Sequence, residues 1–211
     1  MQYGLTENVQ KRARQDGLPA GDEKNMLFCW EAELAETGGS TVLLLINTAT
    51  SYTVVVKLDE DDTLRGLRLT LDDTIRDILG RNGIPEMFVN IFFEFVGDSE
   101  LTGVHGGSGQ YVIDRVKGIL EGLDLPLADG QYQEEISEAI NIVRGTTPTF
   151  PEFAEFEPKE MFIAQVRSLV ASDEIALKNA VLTNGDLVIN GRIVKNDGRQ
   201  GTVISLEAFM N

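Results

Sequence analysis

Three short runs rich in β-branched and aromatic residues stand close together early in the chain: Leu27 to Leu34, Val42 to Ile46, and Tyr52 to Val56. The breaks between them, Thr37-Gly38-Gly39-Ser40 and Asn47-Thr48-Ala49-Thr50-Ser51, have the lengths of hairpin loops. This spacing predicts an antiparallel β meander over residues 26–58. The middle run, Val42-Leu43-Leu44-Leu45-Ile46, is apolar at every position. Both of its faces must therefore be covered, and it is expected to be the central strand.

Helical periodicity supplies the covering layers. Gln2 to Leu5 reads as a short strand, and Thr6 as the cap of a helix from Glu7 to about Arg14 that Asp16-Gly17-Leu18-Pro19 ends. Thr70-Leu71-Asp72-Asp73 has the form of a capping box leading into Ile75, Ile78 and Leu79. A second helix is expected from Pro85-Glu86; a strand from Asn90 to Val96 competes with its continuation. A third should run from Gly109 to Leu120 with Ser108 as its cap. Further helices are expected over 133–143 and 160–172, separated by the aperiodic, proline-bearing Gly145 to Pro158. Asn190-Gly191 between Leu187-Val188-Ile189 and Arg192-Ile193-Val194 marks a hairpin, followed by a strand or short helix near 203–209. The fold class is α+β: an antiparallel meander packed by helices, with a small C-terminal α/β appendage. The expected domains are 1–125, an acidic helix and Pro/Phe-rich linker over 126–158, and a C-terminal unit over 159–211.

The chain has 211 residues and a net charge of −16, with the acid concentrated in the middle. A field of that sign repels nucleic acid and anionic membranes and favours a basic partner. The longest apolar run is far too short to span a bilayer, no apolar signal core follows Met1, and a cytoplasmic protein is expected. The single cysteine, Cys29, lies between Phe28 and Trp30 and reads as a small buried hydrophobe.

About the first 122 residues resemble an uncharacterised bacterial family, a domain of unknown function found in phage, plasmid and other mobile-element contexts. The resemblance rests on Thr6 followed by Lys11, on Phe28-Cys29-Trp30-Glu31-Ala32, and on Asn47-Thr48-Ala49-Thr50-Ser51-Tyr52. It implies a fold and a genomic setting rather than a mechanism. The sequence departs from the family pattern at two places. Glu31 stands where a histidine is common, and His105-Gly106-Gly107-Ser108 replaces a more basic loop.

Candidate binding residues fall into three groups. The acids Asp59, Glu60, Asp61 and Asp62, with Glu134, Glu135 and Glu138, form the surface expected to meet a basic partner. Phe150, Phe153 and Phe156, spaced by three and interleaved with acids, form an aromatic segment suited to apolar pockets. The only histidine sits in His105, Gly106, Gly107 and Ser108, a glycine-rich loop entering a helix, where free backbone N–H groups could bind an anion. The plainer reading makes that loop a helix-capping turn in which His105 is dispensable. No nucleophile elbow, phosphate loop or second histidine accompanies it, and one Cys with one His cannot build a zinc site. No catalytic residue, metal or cofactor is therefore assigned. In the C-terminal hairpin only Arg192, Lys195 and Arg199 speak for RNA binding, and direct nucleic-acid binding is not expected. The leading expectation is a non-enzymatic acidic binding protein of phage or mobile-element type. It would act as an inhibitor, antitoxin or nucleic-acid mimic on a basic partner such as a defence nuclease. The alternative is a small enzyme or anion-binding module using the His105 loop. The sequence specifies no oligomeric state.

Overall fold

A computed structural model describes residues 1–59, 64, 66–145, 155–172, 187–189, 192–194 and 203–205, with side chains as far as Val170. The chain forms two compact units, Met1–Asp73 with Asp98–Phe162, and Thr74–Gly97 with Ile163–Asn211.

The first unit is built on the expected meander. Strands β2 (Cys29–Thr37), β3 (Ser40–Asn47) and β4 (Thr53–Lys57) pair antiparallel, with Ala32 opposite Leu45 and Leu44 opposite Val55. β1 (Gln2–Leu5) lies parallel to β2 on one side and parallel to β5 (Glu100–Gly103) on the other. The resulting order is β4-β3-β2-β1-β5, so β2, not β3, is the middle strand of the sheet. β5 was not expected at all. Its partner in the sheet is about a hundred residues away in sequence, and four residues, one of them glycine, carry no usable period.

Alternation along the strands sets two faces. One face carries Val42, Leu44, Ile46 and Val55, covered by Val112, Val116 and Leu120 of α4 (Gly106–Glu121) and by Ile136 and Ile140 of α5 (Glu134–Asn141). Each of these buried aliphatic side chains contributes about 1.5–3 kcal/mol. Trp30 belongs to the other face and is fully buried, edge-on to Tyr52 and to Phe162, whose own rings stack 4.8 Å apart. α1 (Glu7–Ala13) follows β1 directly and packs on β2. Thr6 occupies its cap position in an extended conformation, yet makes no side-chain cap bond.

Two expected helix starts move. α2 (Leu67–Arg81) begins three residues before Thr70, which therefore lies inside the helix. Asp72, read as part of the capping box, instead accepts from the Tyr3 hydroxyl at 2.7 Å and the Ser99 hydroxyl at 2.5 Å. α4 begins at Gly106 with His105 as its cap residue, so Ser108 is a residue of the first turn rather than the cap.

In the second unit, α3 (Glu86–Val96) is a helix throughout, which decides against the competing strand. It ends at Gly97, whose φ of 65° favours glycine. The Arg76 guanidinium lies 3.8 Å from the Phe93 ring centroid and donates to Asn90 Oδ1 at 3.2 Å. Strands β6 (Leu187–Ile189), β7 (Arg192–Val194) and β8 (Val203–Ser205) form an antiparallel sheet in chain order. The Asn190-Gly191 turn itself lies outside the described residues. α6 (Pro158–Ser172) begins in the first unit, two residues before the expected start. Among the described residues no helix is long and apolar enough to cross a membrane.

Candidate functional site

Parallel pairing places Gly4 of β1 beside Glu31 of β2, on the face that carries α4. β5 then delivers the loop Val104-His105-Gly106 to the same place. His105 Nδ1 lies 2.8 Å from Glu31 Oε1, and the His105 backbone N–H donates to that oxygen at 3.3 Å. The Thr48 hydroxyl donates to it as well, at 3.1 Å. On the other side of the ring, Nε2 is 3.1 Å from Gln2 Oε1.

The Gln2 amide orientation follows from its neighbours. Its oxygen accepts from the Asp22 and Glu23 backbone N–H groups, each at 2.9 Å, while its nitrogen donates to Asp22 Oδ1 and Glu100 Oε1. Imidazole Nε2 therefore faces an acceptor and must carry a proton. Nδ1 faces a carboxylate, so one further proton lies between Nδ1 and Glu31. The pair is neutral in sum, as a carboxylate and an imidazolium or as their neutral forms, which reconciles both groups with burial.

Packing around the pair is close. A Cβ on Gly4 would overlap Glu31 Oε2, and a Cβ on Gly21 would overlap the His105 ring. Glu31 Oε2 is itself buried without a hydrogen-bond partner among the described residues. The network joins β1, β2, β5 and the start of α4, where the Glu31 carboxylate accepts from the N–H of His105, the residue before the helix. Its chemistry is that of a clamp: both ring nitrogens are engaged and the side chains are sealed from solvent. Gly106 and Gly107 are exposed at the beginning of α4, and Ser108 is half-buried. Positions 31 and 105, far apart in sequence, are thus in direct contact.

Sequence reading singled out His105 but missed Gln2 and Glu31. The signal for Glu31 was present: a carboxylate between Trp30 and Ala32 in a covered strand requires a buried partner, and only one histidine exists.

The acidic candidates lie elsewhere. β4 is an edge strand, and the segment before α5 runs along it, with the Lys57 N–H donating to the Gln131 carbonyl at 2.7 Å and the Gln133 N–H to the Val55 carbonyl at 2.9 Å. Asp59 and Asp129 continue the two segments at the same end of this pairing, both exposed. Glu134 and Glu135 are exposed in the first turn of α5, where carboxylates complement the helix dipole. Glu138 is half-buried and pairs with Lys159 Nζ at 2.6 Å. Glu60, Asp61, Asp62, Phe150 and Phe153 lie outside the described residues. Phe156 is half-buried and forms an isolated bridge with Gly145. Cys29 is buried, and burial, with Glu31 and Glu23 nearby, pushes its thiol up to about 12. Among the described residues no group of His, Cys, Asp and Glu side chains is arranged to hold a metal ion.

Comparison with known proteins places the chain in a family but attaches no activity. No curated protein matches it. Residues 2–108, from β1 through the His105 loop, match the family described as Domain of unknown function (DUF6933), and the chain belongs to that family.

Proposed function

We propose that this protein is a non-enzymatic binding protein whose acidic edge engages a basic protein, itself of the nucleic-acid-binding kind. The observation that carries this reading is the convergence of two acidic segments on one sheet edge. Asp59 follows β4, while Asp129, Glu134 and Glu135 flank the segment bonded to it. None of these four carboxylates makes an ion pair among the described residues, so their field is directed outward. In this reading Glu60, Asp61 and Asp62 extend the acidic edge, and Phe150, Phe153 and Phe156 supply apolar anchors. The setting proposed is the cytoplasm of a bacterium carrying a phage or mobile element, with inhibitor, antitoxin or nucleic-acid mimic as the role.

Capture of partners from a host lysate on the immobilised protein tests the reading. Binding should weaken steeply with salt, because the screening length falls from about 10 Å at 0.1 M to about 3 Å at 1 M. Reversing Asp59, Glu134 and Glu135 to lysine, or Asp59 with Glu60, Asp61 and Asp62, should abolish capture and leave the circular dichroism spectrum unchanged. A partner indifferent to salt and to both reversals would refute the electrostatic reading.

A further inference from the structure

An edge strand presents a row of backbone N–H and C=O groups that must find partners. β4 is such a strand, with β3 on one side and no further strand beyond it among the described residues. The backbone groups of Thr53, Val55 and Lys57 face away from β3, as alternation along the strand requires. Polar groups of α5 and the segment before it meet them.

The Asn141 side-chain amide accepts from the Thr53 N–H and donates to the Thr53 carbonyl, both at 2.7 Å. These two bonds fix the orientation of the amide and reproduce those of a paired strand residue. One turn earlier in the helix, the Ser137 hydroxyl accepts from the Val55 N–H at 3.0 Å and donates to the Gln133 carbonyl at 2.8 Å. The Gln133 N–H donates to the Val55 carbonyl at 2.9 Å, and the Gln133 side chain accepts from the Ala128 N–H at 2.7 Å. Gln133, Ser137 and Asn141 stand four apart, on one face of α5, and all three are buried. Burying polar side chains is costly unless they are bonded, and Ser137 and Asn141 find their bonds in the β4 backbone. Apolar residues at these positions would cover the same strand and leave its outward N–H groups unmet.

We propose that Gln133, Ser137 and Asn141 withhold the β4 edge from a second copy of this chain, which would otherwise pair with it strand to strand. The occupant follows from symmetry. The outward positions 53, 55 and 57 are evenly spaced about Val55, so an antiparallel two-fold pairing sets Val55 against Val55 and Thr53 against Lys57 of the second copy. Thr53 to Val56 is β-branched throughout, a composition that favours strand pairing. Charge opposes the same association, because each copy carries −16. Pairing through β4 therefore strengthens as salt screens that repulsion, the opposite of the salt response expected for a basic partner. The inference does not depend on the basic-partner reading.

Sedimentation equilibrium and amide hydrogen exchange on the full chain test it, using the double variant Ser137→Ala with Asn141→Ala and each single variant. In dilute solution the Thr53 and Val55 amides of the double variant should exchange about tenfold faster than in the native protein, the loss of one hydrogen bond each. Val54 and Val56, whose backbone groups face β3, should not change. As protein and salt concentrations rise, the mass of the variant should double relative to the native protein. Slow exchange should then return at Thr53 and Val55, with an unchanged circular dichroism spectrum. A folded variant whose mass matches the native protein at every protein and salt concentration would overturn the proposal. Association that leaves the Thr53 and Val55 amides exchanging rapidly would do the same, since another surface would then be responsible. Should the double variant not fold, the single variants are judged by the same outcomes.

Discussion

Glu31 Oε1 and His105 Nδ1 lie 2.8 Å apart, with both side chains buried and the two residues 74 positions apart in the chain. Removing either partner leaves the other without its counter-group in a sealed site. His105→Gln and Glu31→Gln should each lower unfolding stability by about 3–5 kcal/mol. The double variant should lose less than the sum. Urea unfolding of the four proteins, arranged as a double-mutant cycle, measures the coupling; strict additivity would mean that the two residues act independently. This reverses the expectation from sequence, in which His105 was dispensable to the loop.

Trp30 is fully buried between Tyr52 and Phe162, so its emission in the native protein should be that of an indole shielded from water and should shift red on unfolding. Trp30→Ala should destabilise by about 3–5 kcal/mol, the cost of emptying an aromatic site in a packed core. Its indole N–H has no hydrogen-bond partner among the described residues, so Trp30→Phe should cost distinctly less.

Burial raises the Glu33 carboxyl above its ordinary range, against the opposing pull of Lys117. The folded state therefore holds this proton more tightly than the unfolded chain. The contribution of Glu33 is fully favourable below the ordinary carboxylate pKa and is lost as pH rises through the folded value. Glu33→Gln should accordingly stabilise the protein at neutral pH relative to acid, and flatten its stability profile over the mildly acidic range. Thermal unfolding midpoints of the two proteins across that range check the sign.

With its thiol pushed up to about 12 and its side chain buried, Cys29 should resist alkylation in the folded protein at neutral pH. Iodoacetamide labelling followed by mass spectrometry should show modification only when denaturant is added. Rapid labelling of the native protein would mean that the 29–31 segment of β2 opens to solvent.

Local chemistry was enough for several parts of this protein. The unbroken apolar run Val42 to Ile46 could only be a strand covered on both faces, and the flanking loop signals made it part of a meander. Periodicity placed α4, α5 and α6 to within a few residues, because a helix facing a core repeats its apolar positions along the chain. What only the tertiary structure decided depends on partners that sequence does not bring together. β1 acquires its role from β2 and from β5, the latter about a hundred residues away from it in sequence, and so moves the centre of the sheet from β3 to β2. α4 starts at Gly106, after His105, whose N–H and ring meet Glu31 of another strand, and not after Ser108 as the local signal indicated. A hydroxyl cap or an apolar stripe is a property of one segment. A buried ion pair or a concave site is a property of several, and their meeting is fixed by how the whole sheet closes its core.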